Sequence, residues 1–503
     1  KGVGGNSSAG EEAGVAMGGF FGVAAKADCT TDLYYGTDYH SHLGTMRGGL
    51  AVLGENGFTR VIHDIRTAQF RSKFESDIAR FQGRSGIGVI SDFEDQPLII
   101  ASHLGTFAIV TVGRVANLQE LVDELYARHR VQFSEMSRTG VNPTELVAML
   151  IGMQDSFVEG IRYAQERVRG SCSILLLKEN GTLYAARDRY GRTPIVLGEK
   201  ADARAFALES CSLPNLGYAP VRNMGPGEIV RLTGDGFEVC RPPGDEMAVC
   251  AFLWVYFGYP ASSYEGRNVE VVRYRCGEEL AKHDPGIRAD IVGGVPDSGV
   301  GHALGYARAA GIPYARPFVK YTPTWPRSFM PAVQKDRELI ASMKLIPITD
   351  LIHGKSIIFC DDSIVRGTQL RDQAHRLYDD GAREIHMRIA CPPLLYGCPF
   401  LNFSRSKGEM ELATRRIIRE LEGDAADARR YTDPDGAPYQ AMIGRIRQRI
   451  GLTSLRYQRV NDLCSAIGLP REKLCTYCWT GTDISCKHGC TSCAATSCAA
   501  KRG

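Results

Sequence analysis

Two adjacent aspartates follow a short apolar stretch and precede a turn that is rich in hydroxyl groups and glycine. The stretch, residues 356–360 (Ser-Ile-Ile-Phe-Cys), is typical of a buried strand, and Asp361 and Asp362 come directly after it. Carboxylates at the end of a strand can bind Mg²⁺ and the vicinal hydroxyls of a ribose. The backbone N–H groups of residues 363–368 can bind a 5′-phosphate at the positive end of a helix that begins near Gln369. These residues predict a ribose-phosphate site; the plainer interpretation is a surface turn with two solvated aspartates.

A second turn between a strand and a helix is predicted at residues 295–299, which read Val-Pro-Asp-Ser-Gly. Asp297 and Ser298 are suited to a pyrophosphate group and its Mg²⁺. The alternative is an ordinary helix start, at which Asp or Ser caps the first turn. The paired aspartates favour the ligand site, and the predicted Mg²⁺ ligands are Ser298, Asp361 and Asp362.

Sixteen cysteines are dispersed over 503 residues, and the sequence shows no signal-peptide pattern. These features favour metal ligands over disulfides. Cys475 and Cys478 are separated by two residues, a spacing that lets two thiolates bind one metal ion or cluster. The tail carries a Cys-x3-Cys-x2-Cys-x4-Cys array, for which a second cluster or a zinc site is an alternative to free thiols: Cys486, Cys490, Cys493 and Cys498.

The sequence around the paired aspartates resembles a known family. Residues 361–368 (Asp-Asp-Ser-Ile-Val-Arg-Gly-Thr) are similar to the phosphoribosyl pyrophosphate (PRPP) signature of the glutamine PRPP amidotransferase family, which catalyses the first committed step of purine synthesis. Further blocks resemble this family in the same order, at residues 186–194, 225–230, 295–299, 354–356, 381–386 and 390–393. The first two of these resemble its N-terminal glutaminase domain. The resemblance extends from about Gly18 to Gly481.

The resemblance implies a set of contacts to PRPP. These residues are Asp297, Ser298, Lys320, Arg327, Asp361, Asp362, Ser363, Ile364, Val365, Arg366, Gly367 and Thr368. Members of the family close a flexible loop over PRPP, and this chain keeps Lys320 and Arg327 but has two prolines and a tryptophan between them. The prolines predict a stiffer lid, or one that admits a different nucleophile. The implied partners are PRPP, an amine, purine nucleotides as regulators, and further copies of the chain in a homo-oligomer.

The resemblance also implies an iron–sulfur cluster. In the iron–sulfur subgroup of the family, a Cys-x2-Cys pair joins one cysteine before an aromatic strand and one after a Pro-Pro block. The matching residues here are Cys250 and Cys398, which with Cys475 and Cys478 would provide the four thiolates of a [4Fe–4S] cluster. By spacing alone, a tetrahedral zinc site or buried free thiols are the alternatives.

The N-terminal half departs from the family at its catalytic positions. Family glutaminases begin with a cysteine that attacks the glutamine amide while its own α-amine acts as the base. Gly18 stands at this position, and Cys29 is no substitute because it lies inside the chain. Other glutamine contacts also differ, namely Ser91 and Asp92 at the carboxylate clamp, Val112 and Gly113 at the oxyanion donor, and Pro143 before Thr144 and Glu145 at the α-amine clamp.

Loss of the nucleophile, the oxyanion donor and both clamps predicts that the chain has no glutaminase activity. We therefore expect an amidophosphoribosyltransferase-like enzyme that transfers the phosphoribosyl group to ammonia or another amine. One alternative is a non-catalytic PRPP or nucleotide sensor that regulates a partner. Another is a transferase subunit that receives ammonia from a separate glutaminase.

Two kinds of scaffold are expected to position these residues. From Gly18 to about Asp245, short apolar stretches separated by glycine-rich turns indicate antiparallel sheets in a layered α+β domain, which the resemblance identifies as N-terminal-nucleophile-hydrolase-like. Farther on, strand and helix patterns alternate, which predicts an α/β parallel sheet of the type I phosphoribosyltransferase class. The predicted strands are residues 290–295, 356–360 and 384–390, and the predicted helices are residues 271–282, 300–310, 369–380, 415–422 and 439–449.

The chain is predicted to have five parts. These are a flexible leader at 1–17, a degenerate glutaminase-like domain at 18–245, a phosphoribosyltransferase domain at 246–400, a helical subdomain with the paired cysteines at 401–485, and a cysteine-rich tail at 486–503. A net charge of +3 gives no reason to expect a nucleic-acid partner. There is no apolar run of membrane-spanning length, so no membrane partner is expected and a cytoplasmic location is predicted.

Overall fold

The computed structural model describes residues 17–92, 94–127, 132–137, 140–321, 345–401 and 409–483. The predicted leader up to residue 16, Arg327 and the four cysteines of the tail lie outside the described residues. Within the described part, none of the helices has the length and apolar character needed to cross a membrane.

The N-terminal half contains two antiparallel sheets, as the glycine-separated apolar stretches predict. The first has seven strands, which in spatial order are Ala219–Asn223, Val196–Lys200, Ala203–Ala207, Gly19–Ala25, Ser85–Ser91, Arg47–Gly54 and Gly57–Asp64. The second has six, in the order Phe237–Arg241, Ile229–Leu232, Leu183–Ala186, Gly170–Lys178, Gly105–Val115 and Leu98–Ser102. Neighbouring strands in both sheets run antiparallel.

The two sheets pack face to face, and helices cover their outer faces. Successive residues of a strand point to opposite faces. Phe20 accordingly lies in the core between the sheets, whereas Phe21 packs on the outer face against the helices of that side. The result is a four-layer α+β domain, which confirms the predicted layered architecture. Its helices are Thr30–Asp38, Phe70–Ile78, Leu118–Ala127, Pro143–Ile151, Phe157–Arg167 and Ser212–Asn215.

These N-terminal helices are more numerous than the sequence pattern indicates. Pro143–Ile151 shows why, because seven of its nine residues are buried and the helix is apolar on nearly every side. A short helix of this kind has no amphipathic period and resembles a buried strand in sequence.

The second half is built on a four-stranded parallel sheet. Its strands, in spatial order, are Ile291–Gly294, Ser356–Asp361, Glu384–Ile389 and Ser454–Tyr457. The longer helices are Val269–Lys282, Ser298–Ala310, Thr368–Asp379, Ala413–Glu422, Ala437–Ile450 and Val460–Ile467. The first three strands and the first five helices match the predicted ones to within about two residues, whereas strand Ser454–Tyr457 and helix Val460–Ile467 were not predicted. The parallel α/β class is confirmed.

The fourth strand, Ser454–Tyr457, comes from the part of the chain after residue 400. The predicted boundary at residue 400 therefore separates strands that belong to one sheet. The C-terminal segment pairs with the second half at another place, where strand Leu474–Cys475 lies parallel to strand Val249–Cys250. Both pairings attach the C-terminal segment to the core of the second half.

Several shorter elements complete the described chain. The pairs of short strands are Met136–Ser137 with Gly140–Val141, Ser263–Tyr264 with Arg267–Asn268, and Phe318–Lys320 with Leu345–Pro347. The short helices are the π-helix Leu253–Phe257, the α-helices Thr349–Ile352 and Tyr477–Thr480, and the 3₁₀ turns Glu409–Glu411, Ala428–Tyr431 and Arg471–Lys473.

Candidate active site and thiol pocket

The structure brings the two predicted strand-to-helix turns together. Strands Ile291–Gly294 and Ser356–Asp361 are neighbours and run in parallel, so their carboxyl ends lie at the same edge of the sheet. Asp362 is buried there, and it accepts hydrogen bonds of 2.6 Å from the hydroxyls of Ser298 and Ser363. The backbone N–H of Asp362 donates to Oδ1 of Asp361 at 2.9 Å. Ser298, Asp361 and Asp362, the predicted Mg²⁺ ligands, are therefore adjacent.

Simultaneous ionisation of Asp361 and Asp362 is unfavourable. Burial, and after it the neighbouring Asp362, raise the pKa of Asp361 well above its usual range. The folded chain therefore resists placing two negative charges here. A divalent cation is the simplest group that would relieve this repulsion.

The loop between the paired aspartates and the next helix is fixed by the C-terminal segment. Gly367 has a positive φ of 75° and precedes helix Thr368–Asp379, whose N-terminus is at this loop. The backbone oxygen of Val365 accepts a hydrogen bond from the N–H of Ala413, and Arg366 forms a salt bridge with Glu411. Ile364 is buried. The loop is therefore held in place at the start of a helix, as the predicted phosphate site requires.

Lys320 is the part of the predicted lid that the structure describes. It ends the short strand Phe318–Lys320, and its Nζ lies 2.5 Å from Oδ2 of Asp297. This places a cation at the turn that was predicted to bind pyrophosphate. Arg327, the other basic residue of the predicted lid, lies outside the described residues.

The four cysteines predicted as cluster ligands line one pocket. Cys250, Cys398, Cys475 and Cys478 face it together with Arg192, Phe252, Phe400, Leu401 and Trp479. Pairing of Val249–Cys250 with Leu474–Cys475 sets Cys250 in register with Cys475. The carbonyl oxygen of Cys478 accepts hydrogen bonds from the N–H groups of Leu395 and Tyr396, which precede Cys398.

The thiols of this pocket differ in acidity. The adjacent Cys478 thiol, backbone N–H groups and the charge of Arg192 lower the pKa of Cys398 despite its burial. Burial raises the pKa of Cys475 to about 11 and that of Cys250 well above its usual range. A metal centre would take the place of the protons that these thiols carry.

The donor set of the pocket fits the thiolate centres predicted from the sequence. Four cysteine sulfurs face one pocket with aromatic walls, and thiolates are ligands of both [4Fe–4S] clusters and tetrahedral zinc.

At the position of the expected nucleophile, Gly18 is tightly enclosed. Its φ is +76°, and a Cβ added there would lie 3.2 Å from the carbonyl oxygen of Ile90 and 3.7 Å from the Val112 side chain. The N–H groups of Met17 and Gly18 both donate to the carbonyl oxygen of Leu43. The structure thus brings Gly18 together with Val112 and with the strand that ends at Ser91. Cys29 follows the opposite end of strand Gly19–Ala25, roughly 20 Å away by strand length.

The other altered glutamine contacts have partners within the protein. The Ser91 hydroxyl donates to Glu94 at 2.9 Å, and Asp92 accepts a hydrogen bond of 3.0 Å from the N–H of Met46. Pro143 is the first residue of a helix that Asn142 caps. The hydroxyl of Thr144 forms a hydrogen bond with the hydroxyl of Thr111. The carboxylate of Glu145 accepts hydrogen bonds from the backbone N–H groups of Ser134 and Glu135.

Comparison with known proteins identifies the family of the chain. A model of the glutamine amidotransferase domain matches residues 83–215. The amidophosphoribosyltransferase of Methanothermobacter thermautotrophicus is 30% identical over 476 residues, which are 92% of this chain and 93% of that protein. The same enzyme of Synechococcus elongatus is 35% identical over 71% of each chain. This chain belongs to the amidophosphoribosyltransferase family.

Solved structures of the family agree with this assignment. The structure of glutamine PRPP amidotransferase from B. subtilis, complexed with ADP and GMP, aligns with this chain with a TM-score of 0.79 and 26% sequence identity. The alignment covers 93% of this chain and 97% of the B. subtilis chain. The solved structure of the allosteric regulatory enzyme of purine biosynthesis has the same TM-score and identity. The family and the two fold classes predicted from sequence are thereby confirmed.

The charged residue of the thiol pocket, Arg192, was missed by the sequence prediction. Arg192 belongs to the block at residues 186–194, which was assigned to the glutaminase-like half and not to the cysteines. Its burial beside distant cysteines is a property of tertiary structure, and local sequence carries no signal for it.

Proposed function

We propose that the chain binds PRPP with Mg²⁺ and transfers the phosphoribosyl group to ammonia or another amine, with release of pyrophosphate. The observation that carries this proposal is the junction of Asp361, Asp362 and Ser298 at the carboxyl ends of two neighbouring parallel strands. Family membership supports it, since the relatives are amidophosphoribosyltransferases.

Each group at this edge of the sheet has a role in the proposed reaction. The Asp361 and Asp362 carboxylates hold the ribose hydroxyls and the metal site, and the loop of residues 363–368 holds the 5′-phosphate. Lys320 and Asp297, which form an ion pair, are assigned to the departing pyrophosphate. Mg²⁺, when bound, stabilises the charge that develops on the pyrophosphate. The amine attacks C1 from the opposite face, so the anomeric carbon is inverted.

We further propose that this chain does not hydrolyse glutamine. Gly18 has no side chain that could attack the amide, and Val112 has none that could donate to an oxyanion. The replacements at the clamps are engaged in hydrogen bonds within the protein. The amine is therefore free ammonia, another amine, or ammonia delivered by a separate glutaminase.

A [4Fe–4S] cluster at Cys250, Cys398, Cys475 and Cys478 is part of the proposal. Its support is the convergence of these four sulfurs on one pocket. Purine nucleotides as regulators are proposed because the B. subtilis relative was solved with ADP and GMP. A homo-oligomeric state and a cytoplasmic location are proposed on the basis of the family alone.

Pyrophosphate release from PRPP tests the proposal directly. The purified protein is incubated with PRPP and Mg²⁺, and ammonia, glutamine and a panel of amines are supplied in turn. We expect release that depends on ammonia or an amine and does not occur with glutamine. PRPP binding without release under any condition would favour the non-catalytic sensor instead.

A further inference from the structure

Arg192 extends from the glutaminase-like half into the thiol pocket of the second half. Its side chain is 1% exposed and lines the same pocket as the four cysteines. The guanidinium carbon lies 3.8 Å from the ring centroid of Phe400 and 4.7 Å from that of Tyr190. A full positive charge is thus held away from water beside four sulfurs.

The hydrogen bonds of Arg192 fix its position but do not use all its donors. Its two terminal nitrogens donate to Asp483 at 2.9 Å and to the carbonyl oxygen of Gly170 at 3.2 Å. Nε is buried and has no hydrogen-bond partner within the described part of the chain. The backbone oxygen of Arg192 accepts a hydrogen bond from the N–H of Cys250, so the arginine and one cysteine are joined directly.

The ionisable groups that face Arg192 come from several elements. They are the carboxylates of Asp188 and Asp483 and the sulfurs of Cys398 and Cys475. Asp188 also accepts hydrogen bonds from backbone N–H groups, including that of Arg192 itself at 2.9 Å. A buried arginine is costly unless negative charge surrounds it, and a centre with four thiolates carries negative charge that is equally costly without a cation.

We propose that Arg192 is a positioning residue that supplies the compensating positive charge for the metal centre of the four cysteines. This inference rests on the proposed function, because it requires that the pocket holds a thiolate-bound centre. It also assigns a role to the glutaminase-like half that does not depend on glutamine, since that half closes the pocket and neutralises part of its charge.

The test compares two variants of Arg192 with a matched arginine in the same block. Arg192→Met keeps much of the side-chain length without the charge, and Arg192→Lys keeps the charge. Arg189→Met is the control, because Arg189 is exposed and does not line the pocket. Each full-length protein is prepared anaerobically, and its iron, sulfide and zinc contents, its midpoint reduction potential and its loss of metal to a chelator are measured.

Arg192→Met is expected to shift the potential to a more negative value, because a nearby cation stabilises the reduced and more negative cluster. Resistance to the chelator should fall by roughly tenfold or more, as is typical of partners that support metal ligands. Arg192→Lys should restore most of both properties, and Arg189→Met should change neither. Equal potentials and equal metal retention in all four proteins would overturn the proposal.

Asp483→Asn gives a second, oppositely signed test that does not require the Arg192→Met protein to fold. Loss of the carboxylate beside the guanidinium should shift the potential to a more positive value, and a shift in the other direction would count against the proposal.

The metal content of the unmodified protein distinguishes failure of the proposed cluster from failure of the proposed role of Arg192. Absence of iron and sulfide would reject the cluster, whereas a cluster that is indifferent to Arg192 would reject only the role of the arginine.

Discussion

At the residue scale, Asp361 and Asp362 form the centre of the proposed PRPP site. Each hydrogen bond lost from a charged group costs about 1.5–3 kcal/mol, so the double variant Asp361→Asn, Asp362→Asn should bind PRPP with Mg²⁺ roughly 100-fold or more weakly. Titration calorimetry measures this affinity. Asp372→Asn is the control, because its side chain is 67% exposed on the helix that follows the loop. Unchanged affinity in the double variant would place the ligand elsewhere.

The stability of the same variant provides an independent check on the electrostatics. Because the pKa of Asp361 is raised in the folded state, its contribution to stability is present below the unfolded pKa and is lost as the pH rises through the folded pKa. Neutral amides should therefore leave the metal-free protein at least as stable as the unmodified one at neutral pH. Thermal unfolding with and without Mg²⁺ measures this, and a marked loss of stability would mean that the two charges serve the fold.

Gly18 gives a second prediction at this scale. Gly18→Cys, in a chain that begins at residue 18, should release no glutamate from glutamine above background, because the oxyanion donor and both clamps are still absent. In the full chain, where Met17 precedes residue 18, the same substitution should lower stability by about 1–3 kcal/mol, since a side chain is strained at this φ and meets the Ile90 oxygen. Gly57→Cys is the matched control, because its φ of +96° imposes the same kind of backbone strain while the space around it is open. Glutamine hydrolysis by the unmodified protein would contradict the proposed loss of glutaminase activity.

At the scale of elements, the parallel pairing of Val249–Cys250 with Leu474–Cys475 brings cysteines from two distant segments to one pocket. We expect anaerobically prepared protein to contain about four irons and equivalent sulfide. Cys475→Ser and Cys478→Ser should lose most of both. Cys240→Ser should lose neither, because Cys240 does not line the pocket. Stoichiometric zinc without sulfide would establish the tetrahedral alternative.

The elements that sequence predicts best are those whose signal is local. Strand Ser356–Asp361 and helix Thr368–Asp379 were predicted closely, because an apolar run, a glycine turn and a helical period lie consecutively there. The junction of Asp362 with Ser298 also follows from the rule that parallel strands end at one edge. Helix Pro143–Ile151 was missed for lack of a polar face. Cys250 and Cys398 were found by resemblance and not by spacing, and the position of Arg192 is decided by packing between distant segments.

At the scale of the whole molecule, Glu209 joins the two halves. This fully buried carboxylate lies 3.0 Å from Nε2 of His42 in the first half, and it accepts hydrogen bonds from Tyr264 at 2.8 Å and from Ser262 in the second. Burial alone would raise the pKa of Glu209. The hydrogen bond and charge of His42, together with the Ser262 hydroxyl, outweigh that effect and hold this pKa below its usual range.

The lowered pKa of Glu209 determines how the stability of the contact between the two halves changes with pH. The stabilisation by Glu209 is present above the unfolded pKa of a glutamate and is lost as the pH falls through the lower folded pKa. Glu209→Gln should therefore lower the free energy of unfolding by about 1–3 kcal/mol at neutral pH, and this difference should shrink in acid. Denaturant unfolding across the pH range measures it, with Glu238→Gln, whose side chain is 58% exposed, as the control. A deficit that stays constant down to strongly acidic pH would show that the carboxylate charge does not hold the halves together.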